Sequence, residues 1–168
     1  MQRTVRLELK PTPEQAQVLN ETLAQFTQAF NQVCAAGWGQ GEKNGVRLHH
    51  LTYRVTKAAC PGLVSDLLIQ ARVKATEALK SAAARVKQGR KTTCPQSVLC
   101  PARYNVHTYK LHWSGSFVRL STSSGRMNVP FKLPRYAAKN VAQKHLAGLG
   151  ISLSGALLSD SVSWQASA

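Results

Sequence analysis

One strand stands alone at the start of this chain, cut off from every other strand-like segment by a long helical stretch. Residues 4–10 alternate, with Val5, Leu7 and Leu9 on one side and Arg6, Glu8 and Lys10 on the other. That is the pattern of a half-buried strand. Comparable β texture does not return until residue 103. A single strand has no partner for its backbone N–H and C=O groups, so its neighbours must come from beyond the helices. This order predicts an α+β fold: a small antiparallel β-barrel with a helical bundle inserted after the first strand. Residues 1–10 and 95–168 are expected to form the barrel, and 11–94 the inserted helical domain.

The helical stretch is legible in its spacing. Pro11 ends the strand, and Thr12, Pro13 and Gln15 stand as an N-cap, a first-turn proline and a capping-box partner. Leu19, Leu23, Phe26, Phe30 and Val33 then recur at steps of three and four, which predicts an amphipathic helix to about Ala36. Gly37, Gly39, Gly41 and Gly45 end it in a loop. A shorter helix is expected from Leu48 to Ala59, stopped by Pro61-Gly62. A second long helix follows over Leu63–Gln88, with Val64, Leu68, Ala71, Ala75, Leu79, Ala82 and Val86 as its buried stripe. Beyond Pro95 the texture turns to β. Residues 103–113 are expected to form a strand with a bulge near His107-Thr108. Phe117–Leu120 and Met127–Leu133 are expected to form a hairpin around Ser121–Gly125, and Leu149, Ile151 and Leu153 a further strand.

Charge narrows the function. Lys and Arg number 22 against seven Asp and Glu, for a formal net charge of +15. Between Ala78 and Ser159 there is no acidic residue, whereas that stretch holds 13 Lys and Arg. A surface of one sign repels itself until a polyanion neutralises it, and counterion release from phosphates then supplies affinity. The alternative, a merely solvated face, usually mixes both signs. A membrane is disfavoured because the cations do not line one amphipathic helix with an apolar insertion face. On the last helix, Arg72, Lys80 and Lys87 sit on one shoulder of the apolar stripe and Lys74 and Arg85 on the other. The helix runs on into Gly89-Arg90-Lys91. Arg103, Tyr104, His107, Tyr109, Lys110, His112 and Trp113 interleave rings with cations, as base stacking beside a phosphate backbone requires. About half of these rings are expected to face the core instead.

Catalytic patterns are not evident. Two-metal phosphodiester cleavage needs clustered carboxylates, but Glu8, Glu14, Glu21, Glu42, Asp66 and Glu77 are dispersed and only Asp160 follows. Cys94-Pro95 and Cys100-Pro101 lack the spacing and second pair of a zinc knuckle. Cys34, Cys60, Cys94 and Cys100 are expected to be reduced thiols of an intracellular protein, cytoplasmic and nucleoid-associated in a prokaryote. The glycines at 37–45 lack the Gly-Lys-Ser/Thr ending of a phosphate loop. No cofactor is expected.

The segments "VRLELKPTPEQAQVLNETLAQFTQAFNQV", "LVSDLLIQARVKATEALKSAAARVKQGRK" and "RMNVPFKLP", in this order over about residues 1–135, resemble the N-terminal half of the TnpB-type transposon-encoded RNA-guided DNA nucleases. These are the compact relatives of type V CRISPR effectors. The resemblance implies a split, oligonucleotide-binding-like wedge barrel with a recognition helical bundle inserted between its first and second strands. It implies that these parts hold the scaffold of a guide RNA and help engage target DNA. It also implies a RuvC-like nuclease with three catalytic carboxylates and a four-cysteine zinc ribbon, and this chain carries neither. The chain as it stands is therefore expected to be non-catalytic: a fragment, a natural truncation or a relic.

The resulting expectation is a module that binds guide or structured RNA and engages target DNA. Arg72, Lys74, Lys80, Arg85, Lys87, Arg90, Lys91, Arg103 and Lys110 are expected on phosphates, with Tyr109 and Trp113 as stacking rings. One alternative is a sequence-specific regulator that places a helix in the major groove of duplex DNA. Another is an enzyme completed by a separate nuclease chain.

Overall fold

The computed structural model describes residues 5–132 and the backbone of residues 164–166. The elements are β1 (Val5–Leu9), α1 (Pro13–Gly39), α2 (Gly45–Ala59), α3 (Ser65–Lys87), β2 (Tyr109–His112), β3 (Phe117–Thr122), β4 (Gly125–Lys132) and β5 (Trp164–Ala166). The fold is α+β, with the three helices following the first strand. Two compact units can be separated. One comprises Pro13–Lys110 with the hairpin tip Leu120–Met127; the other contains β1, Leu111–Arg119 and β4 from Asn128.

In the helical unit the stripes found in the sequence meet. Phe26, Phe30, Val33 and Cys34 of α1, Leu48 of α2, and Leu67, Leu68, Ala71, Ala75 and Leu79 of α3 are buried in one cluster. Each fully buried Leu or Phe contributes roughly 1.5–3 kcal/mol over leaving it in water. The alanines of α3 let the helices approach closely. So does Gly37, where an added Cβ would lie 2.5 Å from Leu79 Cδ1 and 2.9 Å from the Glu42 carbonyl oxygen. This is why α1 runs through Gly37 to Gly39 rather than ending at Ala36. Helix α2 starts three residues before the expected Leu48 because the Asn44 side chain caps it, accepting from the N–H groups of Val46 and Arg47. Helix α3 stops where Gly89 adopts φ +72°, a left-handed conformation that costs glycine little. Gly89 N–H donates to the Val86 carbonyl and Arg90 N–H to the Arg85 carbonyl, the two bonds of a Schellman cap. Val86, expected in the buried stripe, is 54% exposed, because α3 has already left the bundle at that point.

The irregular segment after α3 is bound back onto the helices by polar contacts. Asn31 grips Ser97 at both backbone groups, its Nδ2 donating to the Ser97 carbonyl and its Oδ1 accepting from Ser97 N–H, each at 2.9 Å. Thr27 Oγ1 accepts from Cys100 N–H at 2.9 Å. The strand expected over 103–113 is confined to Tyr109–His112. The reason lies in Asn105, whose side chain accepts from the N–H groups of His107 and Thr108. Such an Asx turn offers the backbone an alternative to a sheet ladder. Val106 is left 80% exposed.

The sheet has the order β2-β3-β4-β1, with the short β5 on the outer side of β1. β1 pairs antiparallel with β4, Leu9 opposite Phe131, and Lys10 N–H donates to the Pro130 carbonyl at 2.8 Å. β1 also pairs antiparallel with β5, Leu7 opposite Trp164. Along β4 the alternation holds: Val129 and Phe131 are buried, and Asn128, Pro130 and Lys132 exposed. The hairpin strands are longer than expected, joined by Ser123-Ser124 alone. Ser123 N–H donates to Thr22 Oγ1 at 2.9 Å within the helical unit. The described strands form an open sheet and not a closed barrel, since the Asx turn at 105–108 leaves β2 too short to close an edge. The strand expected at 149–153 lies outside the described residues.

Candidate nucleic-acid interface

The cations expected on phosphates divide into two sets along α3. In its first half they are engaged by the protein itself. Half-buried Arg72 donates from Nη1 to the Gly45 carbonyl at 2.7 Å, anchoring the start of α2. Its Nε is buried without a hydrogen-bond partner among the described residues. Lys74 Nζ donates to the Pro101 carbonyl at 2.6 Å. Arg103 forks onto Glu77 with two 2.8 Å bonds, the planar bidentate geometry that suits guanidinium and carboxylate. This hydrogen bonding holds the Glu77 carboxyl below its ordinary range and raises Arg103; Lys74 and Lys80 nearby add to the effect on Glu77.

In the second half the arrangement is different. Lys80, Arg85, Lys87, Arg90 and Lys91 are all exposed. Among the described residues, none of these five side chains makes a hydrogen bond or a salt bridge. The helix C-terminus stabilises neighbouring cations through its dipole, typically by about 0.3–1 kcal/mol each and only within the last turn. That accounts for Arg85 and Lys87 as residues the fold tolerates. Lys80 lies outside its range, and Arg90 and Lys91 come after the Schellman reversal. The result is a cationic tip with no acidic residue from Ala78 through the rest of the described chain.

The rings are less uniform. Tyr109 is half-buried in β2 and Lys110 beside it is exposed. Tyr104 packs against the helical core, and burial pushes its phenol up to about 12. Trp113 belongs to the other unit, where it is half-buried and meets Phe131 edge-on with ring centroids 6.4 Å apart. His112 stacks on Phe117 at 4.5 Å. Of the interleaved set, His107 and Lys110 are the exposed members.

One cationic face emerges only from the structure. Arg47, His50 and Arg54 of α2 are exposed at helical spacing, with Leu51 and Val55 exposed beside them. Leu48, Thr52 and Thr56 form the buried side of the same helix. The spacing of 47, 50 and 54 is the signal that the sequence offers for it.

Several of the described carboxylates are occupied locally. Glu42 accepts from the N–H groups of Lys43 and Asn44, which lowers its pKa, and it faces Arg47. Glu21 accepts from Gln25. Among the described residues, no group of three His, Cys, Asp or Glu side chains is arranged to hold a metal ion, and no helix is long and apolar enough to cross a membrane. No protein-family model matches the chain, and no curated protein sequence matches it significantly.

Proposed function

We propose that this chain is a nucleic-acid-binding module, without a catalytic site of its own, that holds a structured guide or scaffold RNA and helps engage target DNA. On this reading it corresponds to the N-terminal portion of a TnpB-like RNA-guided endonuclease. The helices would then be the recognition bundle, and the sheet part of a wedge barrel. The observation that carries the proposal is the cationic tip: Lys80, Arg85, Lys87, Arg90 and Lys91 are exposed, without hydrogen-bond or salt-bridge partners among the described residues, and no acidic residue follows Glu77 in the described chain. The helix dipole accounts for Arg85 and Lys87 at most, and Lys80, Arg90 and Lys91 gain no such support from the fold, whereas neutralising phosphates releases counterions. Exposed Lys110 extends the cationic set, and half-buried Tyr109 offers one ring edge for a base. Arg72, Lys74 and Arg103 serve to hold the frame on which the tip is carried.

The test is to express the full chain in a prokaryotic cell with its flanking sequence, crosslink, purify, and sequence the bound nucleic acid. Enrichment of one structured RNA supports the module. Enrichment of a discrete duplex DNA site, with no RNA, overturns it in favour of the second reading, a sequence-specific DNA-binding regulator. The exposed Arg47–His50–Arg54 face of α2, which precedes α3 across a short turn, favours that second reading.

A further inference from the structure

Three of the four cysteines converge on one face of α1. The segment after α3 runs antiparallel to that helix, and its register is fixed by hydrogen bonds. Thr27 holds Cys100 and Asn31 holds Ser97. One further turn along α1 comes Cys34, and three residues earlier in the segment comes Cys94. Helical positions 27, 31 and 34 share a face, so Cys34 is carried to the segment at the level of Cys94. Cys34 and Cys100 are both buried in the helical core, and Cys94 packs against it half-exposed. The thiols also sense one another. Cys34 is pushed up to about 12, first by burial and then by the proximity of Cys94 and Cys100.

We propose that Cys34 and Cys94 are an oxidisable pair, a modification site at which a hydroperoxide fastens the 91–104 segment covalently to α1. Half-exposed Cys94 meets the oxidant first: its sulfur attacks the peroxide oxygen, the O–O bond breaks, and an alcohol or water leaves as Cys94 becomes a sulfenic acid. The Cys34 thiolate then attacks that sulfur and expels hydroxide, which takes up the proton Cys34 released and departs as water. Overall two thiols and one hydroperoxide yield one disulfide, one alcohol and one water. Burial keeps both thiols protonated, so the reaction is slow compared with that of dedicated redox sensors. Cys60, at the other end of the bundle beside the Gln25 carbonyl, takes no part.

The proposal is tested on the full native chain with tert-butyl hydroperoxide, followed by alkylation, trypsin and mass spectrometry. The expected product loses two of the four free thiols, regains them with dithiothreitol, and joins the Cys34 peptide to Thr92–Arg103. Cys94 and Cys100 share that second peptide, so fragmentation and a Cys100→Ser variant locate the bond: the cross-link persists in Cys100→Ser and disappears in Cys94→Ser. The oxidised monomer is also expected to melt several degrees higher than the reduced one, because the bond closes the chain around α2 and α3. A Cys94–Cys100 bond, a bond between two chains, or retention of all four thiols in the folded protein would overturn the assignment. None of these outcomes depends on nucleic-acid binding.

Discussion

The two halves of α3 carry similar numbers of cations and put them to opposite uses. In the first half, Arg72 and Lys74 each donate to a backbone carbonyl, of Gly45 and Pro101, and Glu77 takes Arg103. In the second half, Lys80, Arg85 and Lys87, followed by Arg90 and Lys91, have no such acceptors among the described residues. Cation density alone therefore does not define an interface. What matters is whether the fold has already supplied an acceptor. Where it has, the cation is a structural tie whose loss lowers stability; where it has not, the proposed function predicts that its loss falls on nucleic-acid binding.

The largest expected effect is on affinity at the tip. Arg85→Glu with Lys87→Glu should weaken binding of a stem-loop RNA between about 10- and 100-fold. It should also lower the slope of log K against log salt by roughly 1.5, at about 0.7–0.9 for each phosphate no longer neutralised. Unchanged affinity and slope in a filter-binding salt titration would erase the distinction between the halves. Arg72→Met is the converse. It retains the packing but removes a charged hydrogen bond to Gly45, and should cost about 1–2 kcal/mol in denaturant unfolding while leaving the salt slope intact. A reduced slope with intact stability would show that Arg72 faces phosphate after all.

The smallest effect concerns Glu77 and Arg103. The folded pKa of Glu77 lies below its ordinary value of 4.5, so the ionised pair adds stability at neutral pH. That increment is lost as the pH falls through the folded value. Both side chains are substantially exposed, 55% for Glu77 and 40% for Arg103, so solvent screening holds the contribution to about 0.2–1 kcal/mol. The stability gap between wild type and Glu77→Gln should therefore be small at pH 7 and close as the pH falls through the lowered folded value. A gap that widened on acidification would contradict the sign.

How much of this is legible in the sequence follows the range of the interactions. Phe26, Phe30 and Val33, or Val129 and Phe131, announce themselves by periodicity, because burial of one face is decided within a few residues. The turn at Asn105 instead reads as a strand with a bulge. Tyr104, Val106 and Tyr109 have strand-like character, whereas the competing interaction is a single amide oxygen. The sorting of the cations is not legible at all. The groups that engage Arg72, Lys74 and Arg103 lie 27, 27 and 26 residues away, and two of them are backbone carbonyls that no side-chain pattern encodes. Val86 fits the apolar stripe and lies outside the core because helical periodicity does not say where a neighbouring helix ends.

The grip of Asn31 on Ser97 and of Thr27 on Cys100 has a consequence for the time at which this protein becomes itself. Both bonds span long stretches of chain, 66 and 73 residues, and the bond from Ser123 to Thr22 spans 101. During synthesis at about 5–20 residues per second, the chain between Gly39 and Cys100 takes roughly three to twelve seconds to appear. Helix α1 is therefore made early and finished late, its Thr27–Asn31–Cys34 face open to whatever the nascent chain meets. β1 waits longer still, for Lys132 to emerge opposite Glu8. A chain cut at residue 90 would contain all three described helices and none of these fastenings.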